Sequence, residues 1–80
     1  LTVTQAASLA VPLGEITTPT MLYVYNTDDT NFIKVLDNAT EIGRVQAGDS
    51  GFIPLPSGVT LKMQADTADC DVDFAVFGTA

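Results

Sequence analysis

The sequence predicts an all-β fold: a small antiparallel β-sandwich or barrel with an extended N-terminal arm. Three observations predict it. Apolar and polar residues alternate with a period of two in several short runs, so each run offers one apolar face to a core. Clusters of Asn, Asp, Gly, Pro and Ser separate those runs. Helical patterning is confined to "QAASLA" (residues 5–10), which Pro12 closes off and which is too short to stand alone. Eighty residues make one domain.

Residues 1–18, "LTVTQAASLAVPLGEITT", show no sustained alternation. Two readings stand: an edge strand followed by a loop, or an extended arm that pairs with a neighbouring subunit. The sandwich domain proper then covers residues 19–80. In "TMLYVYN" (Thr20–Asn26), Leu22 and Val24 take one face and Met21, Tyr23 and Tyr25 the other. "NFIKVLD" (Asn31–Asp37) follows the turn "NTDDTN" and is β-branched and aromatic. "DNAT", "AGDSG" and "LPSG" read as turns, and "GDSGF" (Gly48–Phe52) as a Gly-bounded one. "VTLKMQA" (Val59–Ala65) and "DVDFAVF" (Asp71–Phe77) alternate cleanly. Val59, Leu61, Met63 and Ala65 share one face of the first, and Val72, Phe74 and Val76 point inward from the second. These two runs read as a hairpin closed by the aspartate-rich stretch between them. No repeat of solenoid or propeller period is present.

Composition narrows the function classes. A chain this short buries a small share of its surface, and small scaffolds usually add disulfides, a metal or oligomerisation. Cys70 is the single cysteine and histidine is absent, which rules out an intrachain disulfide and a zinc site and leaves burial against other chains. The chain is 46% hydrophobic and 16% charged, with a net charge of -7. It is too apolar for a disordered acidic tail and carries fewer charges than is usual, as expected if part of its surface is covered. With Lys34, Arg44 and Lys62 as its only cations it lacks a nucleic-acid footprint, and its charge disfavours an anionic membrane surface. No apolar run approaches the roughly 18 residues of a spanning helix. "AASLAVPLG" lacks the preceding positive charge of a secretory leader.

Asp66, Asp69, Asp71 and Asp73 are the most conspicuous candidate site. The D-x-D-x-D spacing from Asp69 resembles the start of a calcium loop. Positions six and twelve, however, hold Phe74 and Ala80 where Gly and Glu are required. In a strand Asp71 and Asp73 share one face, opposite Val72 and Phe74, with Asp66 and Asp69 at the turn. A solvated turn and outer face is the preferred reading, with a weak cation site as the alternative, and no metal or cofactor is assigned. A glycosidase pair would need a cleft that this chain has little to build from. Cys70 has no base and sits among carboxylates that suppress its thiolate. Ser8, Ser50 and Ser57 have no histidine partner. Phosphate-loop and dinucleotide fingerprints are absent. "NAT" (Asn38–Thr40) fits a glycosylation sequon, a frequent chance match. No catalytic residue is expected.

The positive signal is aromatic. With Leu22 and Val24 turned to the core, Tyr23, Tyr25 and Met21 form a stripe on the other face, and aromatics and Met are enriched at interface cores. The alternative is that this stripe is the inner face of a two-sheet sandwich, with Leu22 and Val24 in a second layer. Leu9, Val11 and Leu13 of the N-terminal segment are the further candidates for subunit or capsid contact.

Two long phrases, "YVYNTDDTNFIKV" and "GRVQAGDSGFIPLPSGVTLKMQADTADCDVDFAVFG", carry a family resemblance. Their order of strands and turns resembles that of small β-sandwich virion structural proteins of tailed bacteriophages, of the decoration or cement kind, over residues 20–78. The resemblance implies a non-enzymatic component of the capsid surface, homo-oligomeric with a trimer favoured, whose partner is the major capsid protein. It would bind at junctions between capsid subunits and stabilise the shell, with residues 1–18 as the arm. The alternative is a phage tail or a receptor- or carbohydrate-binding β-sandwich module, using the tyrosines and the aspartate turn. An enzyme is the weakest reading.

Overall fold

The structure, a computed structural model, describes residues 1–80. It is all-β: β1 (Thr2–Val3), β2 (Leu9–Ala10), β3 (Thr18–Asn26), β4 (Ile33–Asp37), β5 (Thr40–Val45), β6 (Ser50–Pro54), β7 (Leu61–Ala65) and β8 (Cys70–Thr79). They form two four-stranded sheets, one in the order β1-β8-β3-β6 and the other β2-β7-β4-β5. Every pairing is antiparallel. The fold is therefore the expected β-sandwich, and no helix is long and apolar enough to cross a membrane.

The core lies between the sheets, where the period-two runs place their apolar faces. Leu22 and Val24 of β3, Ile33 and Val35 of β4, Met63 of β7 and Val72 of β8 are at most 2% exposed. Cys70 and Ala65 complete the layer. With β-branched residues in most of these positions, the pleated strands interdigitate with little loss of side-chain freedom. Burial of each Val, Leu or Ile stabilises by about 1.5–3 kcal/mol.

One connection, the β4–β5 turn, stays within a sheet; every other connection crosses to the opposite sheet. The expected hairpin of Val59–Ala65 with Asp71–Phe77 is thus not formed. β7 pairs with β4 and β2, while β8 pairs with β3 and β1. Alternation specifies which face of a strand is buried but not its neighbour, and here two apolar faces meet across the core instead of side by side. Two strands also lie where the sequence showed none. Ser50–Pro54, taken as part of a turn, is β6, with Ile53 inward. Thr40–Val45 is β5, its alternation hidden by a bulge opposite Val35 and Leu36 and by Gly43. A Cβ on Gly43 would stand 3.0 Å from Ile53 Cδ1, so the missing side chain lets β5 and β6 close that side of the sandwich.

The N-terminal segment closes the other side. It does not extend as an arm; β1 pairs with the edge of β8 and β2 with the edge of β7. The Leu1 ammonium and carbonyl both bond Val72, the Thr4 carbonyl accepts from the Ala65 amide, and the Val11 amide donates to Leu61. Val3 and Val11 are buried in the core, so Val11 is withdrawn from the candidate contact residues. The physical reason is that β7 and β8 would otherwise each present an open row of backbone donors and acceptors beside an exposed seam.

Asn26, at the end of β3, is the single buried polar residue. Its Nδ2 donates to the carbonyls of Asn31 at 2.8 Å and Val45 at 3.4 Å, and its Oδ1 accepts the Asp28 amide at 3.1 Å. Replacing it with leucine would strand those partners, each at a cost of about 1–3 kcal/mol. Asn26→Leu is expected to lower unfolding stability by about 2–4 kcal/mol in urea titration. A loss below about 0.5 kcal/mol, the range of neutral surface changes, would show that the bonds contribute nothing net.

Candidate assembly surface

Strand register sets what each sheet shows to solvent. On the first sheet Met21 lies between Pro54 and Phe77, Tyr23 between Phe52 and Ala75, and Tyr25 between Ser50 and Asp73. The outer face therefore runs from apolar at the Met21 row to polar and acidic at the Tyr25 row. Tyr23 and Phe52 rings lie 5.0 Å apart and Phe52 and Phe77 rings 6.5 Å apart, tilted in both pairs. Phe52 is 65% exposed, Phe77 49% and Tyr25 40%. Aromatic pairs at such separations are mutually favourable, yet these rings keep much of their apolar surface in water.

Met21, Tyr23 and Tyr25 share the outer face, as alternation requires, with Met21 and Tyr23 half-buried by their neighbours. Sequence reading missed the two most exposed members, Phe52 and Phe77. Phe77 was legible, since it continues the outward series Asp71, Asp73 and Ala75. Phe52 was not, because its strand was read as a turn. The N-terminal candidates lie elsewhere. Leu9 pairs with Met63 on the other sheet, and Leu13 is half-buried against the core. Neither joins the aromatic face.

The aspartates act as anchors for the chain's own N-terminal segment. Asp71 accepts the Thr2 hydroxyl at 2.7 Å and Asp69 accepts the Gln5 amide at 2.8 Å. Asp73 stands on the outer face opposite Tyr25. Nowhere do three or more Asp, Glu or Cys side chains gather in a way that could hold a metal ion. Another carboxylate, Asp28, accepts the backbone amides of Thr30 and Asn31, which hold it below the usual carboxylate range. Those bonds shape the loop between β3 and β4.

The second sheet is different. Its outer face carries Lys34, Arg44 and Lys62, the three cations of the chain. Lys34 lies opposite both Arg44 and Gln64, and Lys62 opposite Leu36. The Arg44 guanidinium donates twice to Glu41, at 3.1 and 2.9 Å, and lies 4.1 Å from the Phe32 ring centroid. Arg44 holds the Glu41 carboxyl below its ordinary range. A pocket of about 310 Å³ opens on this face, lined by Ser8, Lys34, Leu36, Asn38, Ala39, Glu41, Lys62 and Gln64.

Comparison of the chain with protein-family models, with curated proteins and with solved structures finds no match.

Cys70 is 1% exposed. Burial, and then the carboxylates of Asp28, Asp69, Asp66 and Asp71, push its thiol above the ordinary value of 9.0. A raised folded value means that the folded chain holds this proton more tightly than the unfolded chain does. Its contribution to stability is therefore full below the ordinary thiol value and falls away as pH rises through the folded one. The native protein should alkylate slowly with iodoacetamide and rapidly once denatured. Cys70→Ala should flatten the decline in stability between pH ~8 and ~10. Equal rates in both states would mean that the thiol is accessible.

Proposed function

We propose that the protein is a non-enzymatic structural component of a virion: a decoration or cement protein on the capsid of a tailed bacteriophage. It self-associates, as a trimer, and binds where major capsid subunits meet, holding the shell against internal pressure. The observation that carries this reading is the exposed aromatic face of Met21, Tyr23, Phe52 and Phe77 on one sheet of a sandwich with a small core. Burying such a face against other chains adds stabilisation that 80 residues supply poorly on their own. The strand and turn phrases over residues 20–78 supply the virion part of the reading. The same face is rigid, being carried on paired strands and not on loops, which suits a contact repeated many times over a lattice.

In this reading the sandwich itself makes the contact. Tyr23, Phe52 and Phe77 form its centre, and Tyr25 with Asp73 forms its polar rim, the usual arrangement of a specific interface. The acidic balance of the remaining surface keeps densely displayed copies soluble and mutually repelling away from that contact.

The test is the mass of the protein in solution by light scattering, for the natural chain and for Phe52→Ser with Phe77→Ser. The natural chain is expected at three-chain mass and the double variant at single-chain mass. Because both rings are exposed, the variant should keep its strand circular dichroism. A natural chain that stays monomeric at the highest soluble concentration would overturn self-association through this face. If that monomer bound immobilised glycans, the receptor-binding alternative would replace the capsid reading.

A further inference from the structure

We propose that the pocket on the outer face of the second sheet is a binding site for a compact organic carboxylate, held between Lys34 and Lys62. It lies on the sheet opposite the aromatic face, so it stands or falls separately from the assembly reading.

The first support is the placement of charge. The chain has ten carboxylates and three cations, and Arg44–Glu41 is its single ion pair. Lys34 and Lys62 therefore make no salt bridge in a strongly acidic protein, the Glu41 carboxylate near Lys34 being bonded to Arg44. They are also brought together. Gln64 lies opposite Lys34 and Leu36 opposite Lys62, so the two lysines are diagonal neighbours across β4 and β7 on one face. Like charges so placed repel one another, and a bound anion removes the repulsion.

The second support is the cavity between them. At about 310 Å³ it sits at the lower end of small-molecule sites, with room for an acidic side chain or a single sugar. Its polar rim is Ser8, Asn38 and Gln64. Its floor is Leu36, which is only 6% exposed yet stands outside the main core. Glu41 also lines the pocket, but its carboxylate is occupied by the two Arg44 hydrogen bonds. Two point-charge ammonium groups over a leucine floor suit a carboxylate that brings a carbon skeleton with it. Inorganic phosphate has no carbon skeleton and would leave the leucine floor unused.

Two sources supply that chemistry, an acidic side chain of another protein and a free sugar acid. Amide and lysine side-chain NMR titrations at constant ionic strength distinguish them, using the α-amide of N-acetylglutamate and glucuronate, with glucose, chloride and inorganic phosphate as controls. Saturable shifts centred on Lys34, Leu36, Lys62 and Gln64 are expected with one or both carboxylates and with none of the controls. The tighter ligand identifies the source. Lys34→Gln and Lys62→Gln should each weaken binding about tenfold, the change expected for one lost charge-assisted contact, while Lys34→Arg restores it. Both lysines face outward, so an unchanged urea midpoint will show that the variants fold. Shifts that track ionic strength alike for every salt, that survive both glutamine variants, or that appear only with phosphate would overturn the site.

Discussion

The constraint on which most of this sandwich depends is the buried amide of Asn26. It sits where β3 leaves the first sheet for the second, a point at which the backbone must turn and would otherwise leave polar groups stranded in the core. Nδ2 reaches Val45 at the end of β5 and Asn31 ahead of β4, and Oδ1 takes the amide of Asp28. The backbone of Asn26 is also paired, its amide with Asp49 and its carbonyl with Gly48. One residue thus ties β3, the loop beyond it, the end of β5 and the turn before β6. With no buried side-chain polar atom left unsatisfied, the low dielectric of the interior strengthens these bonds instead of penalising them.

Closure of the two open sides follows from equally local chemistry. On one side the absent side chain of Gly43 admits Ile53. On the other, the N-terminal segment is laid along β8 and then β7, with Val3 and Val11 filling the seam and Asp69 and Asp71 holding its backbone and hydroxyl partners. The aspartates that stand out in the sequence are therefore part of the architecture. They accept hydrogen bonds from a segment 64 and 69 residues away in the chain.

The two outer faces divide the protein's surface chemistry. One sheet shows rings grading into carboxylates, while the other shows all three cations, two of them at a pocket. Such segregation gives the molecule a direction. A partner that recognises the aromatic face meets low charge and large apolar area, and a ligand on the other face meets positive charge on a protein that is otherwise acidic. The proposed assembly face and the proposed carboxylate pocket therefore do not overlap.

The sequence by itself determined the class of fold and the facing of most strands. Leu22, Val24, Met63 and Val72 are buried, and Tyr25 and Asp71 are exposed, because side chains in a strand alternate whatever the strand is paired with. It likewise placed Met21, Tyr23 and Tyr25 on one shared face, which the structure turns outward. Tertiary structure alone decided which strands are neighbours. It set β7 and β8 in different sheets, drew Phe52 beside Tyr23, gathered Lys34 and Lys62 at one pocket, and chose the edge-strand reading of the N-terminal segment over the extended arm. Each of those outcomes depends on pairing between residues far apart in the chain. Period-two patterning carries no label for its partner. The partner is chosen by the closing of a shared core, where the bulge at Val35, the small residue at Gly43 and the polar anchor at Asn26 count for more than any local propensity.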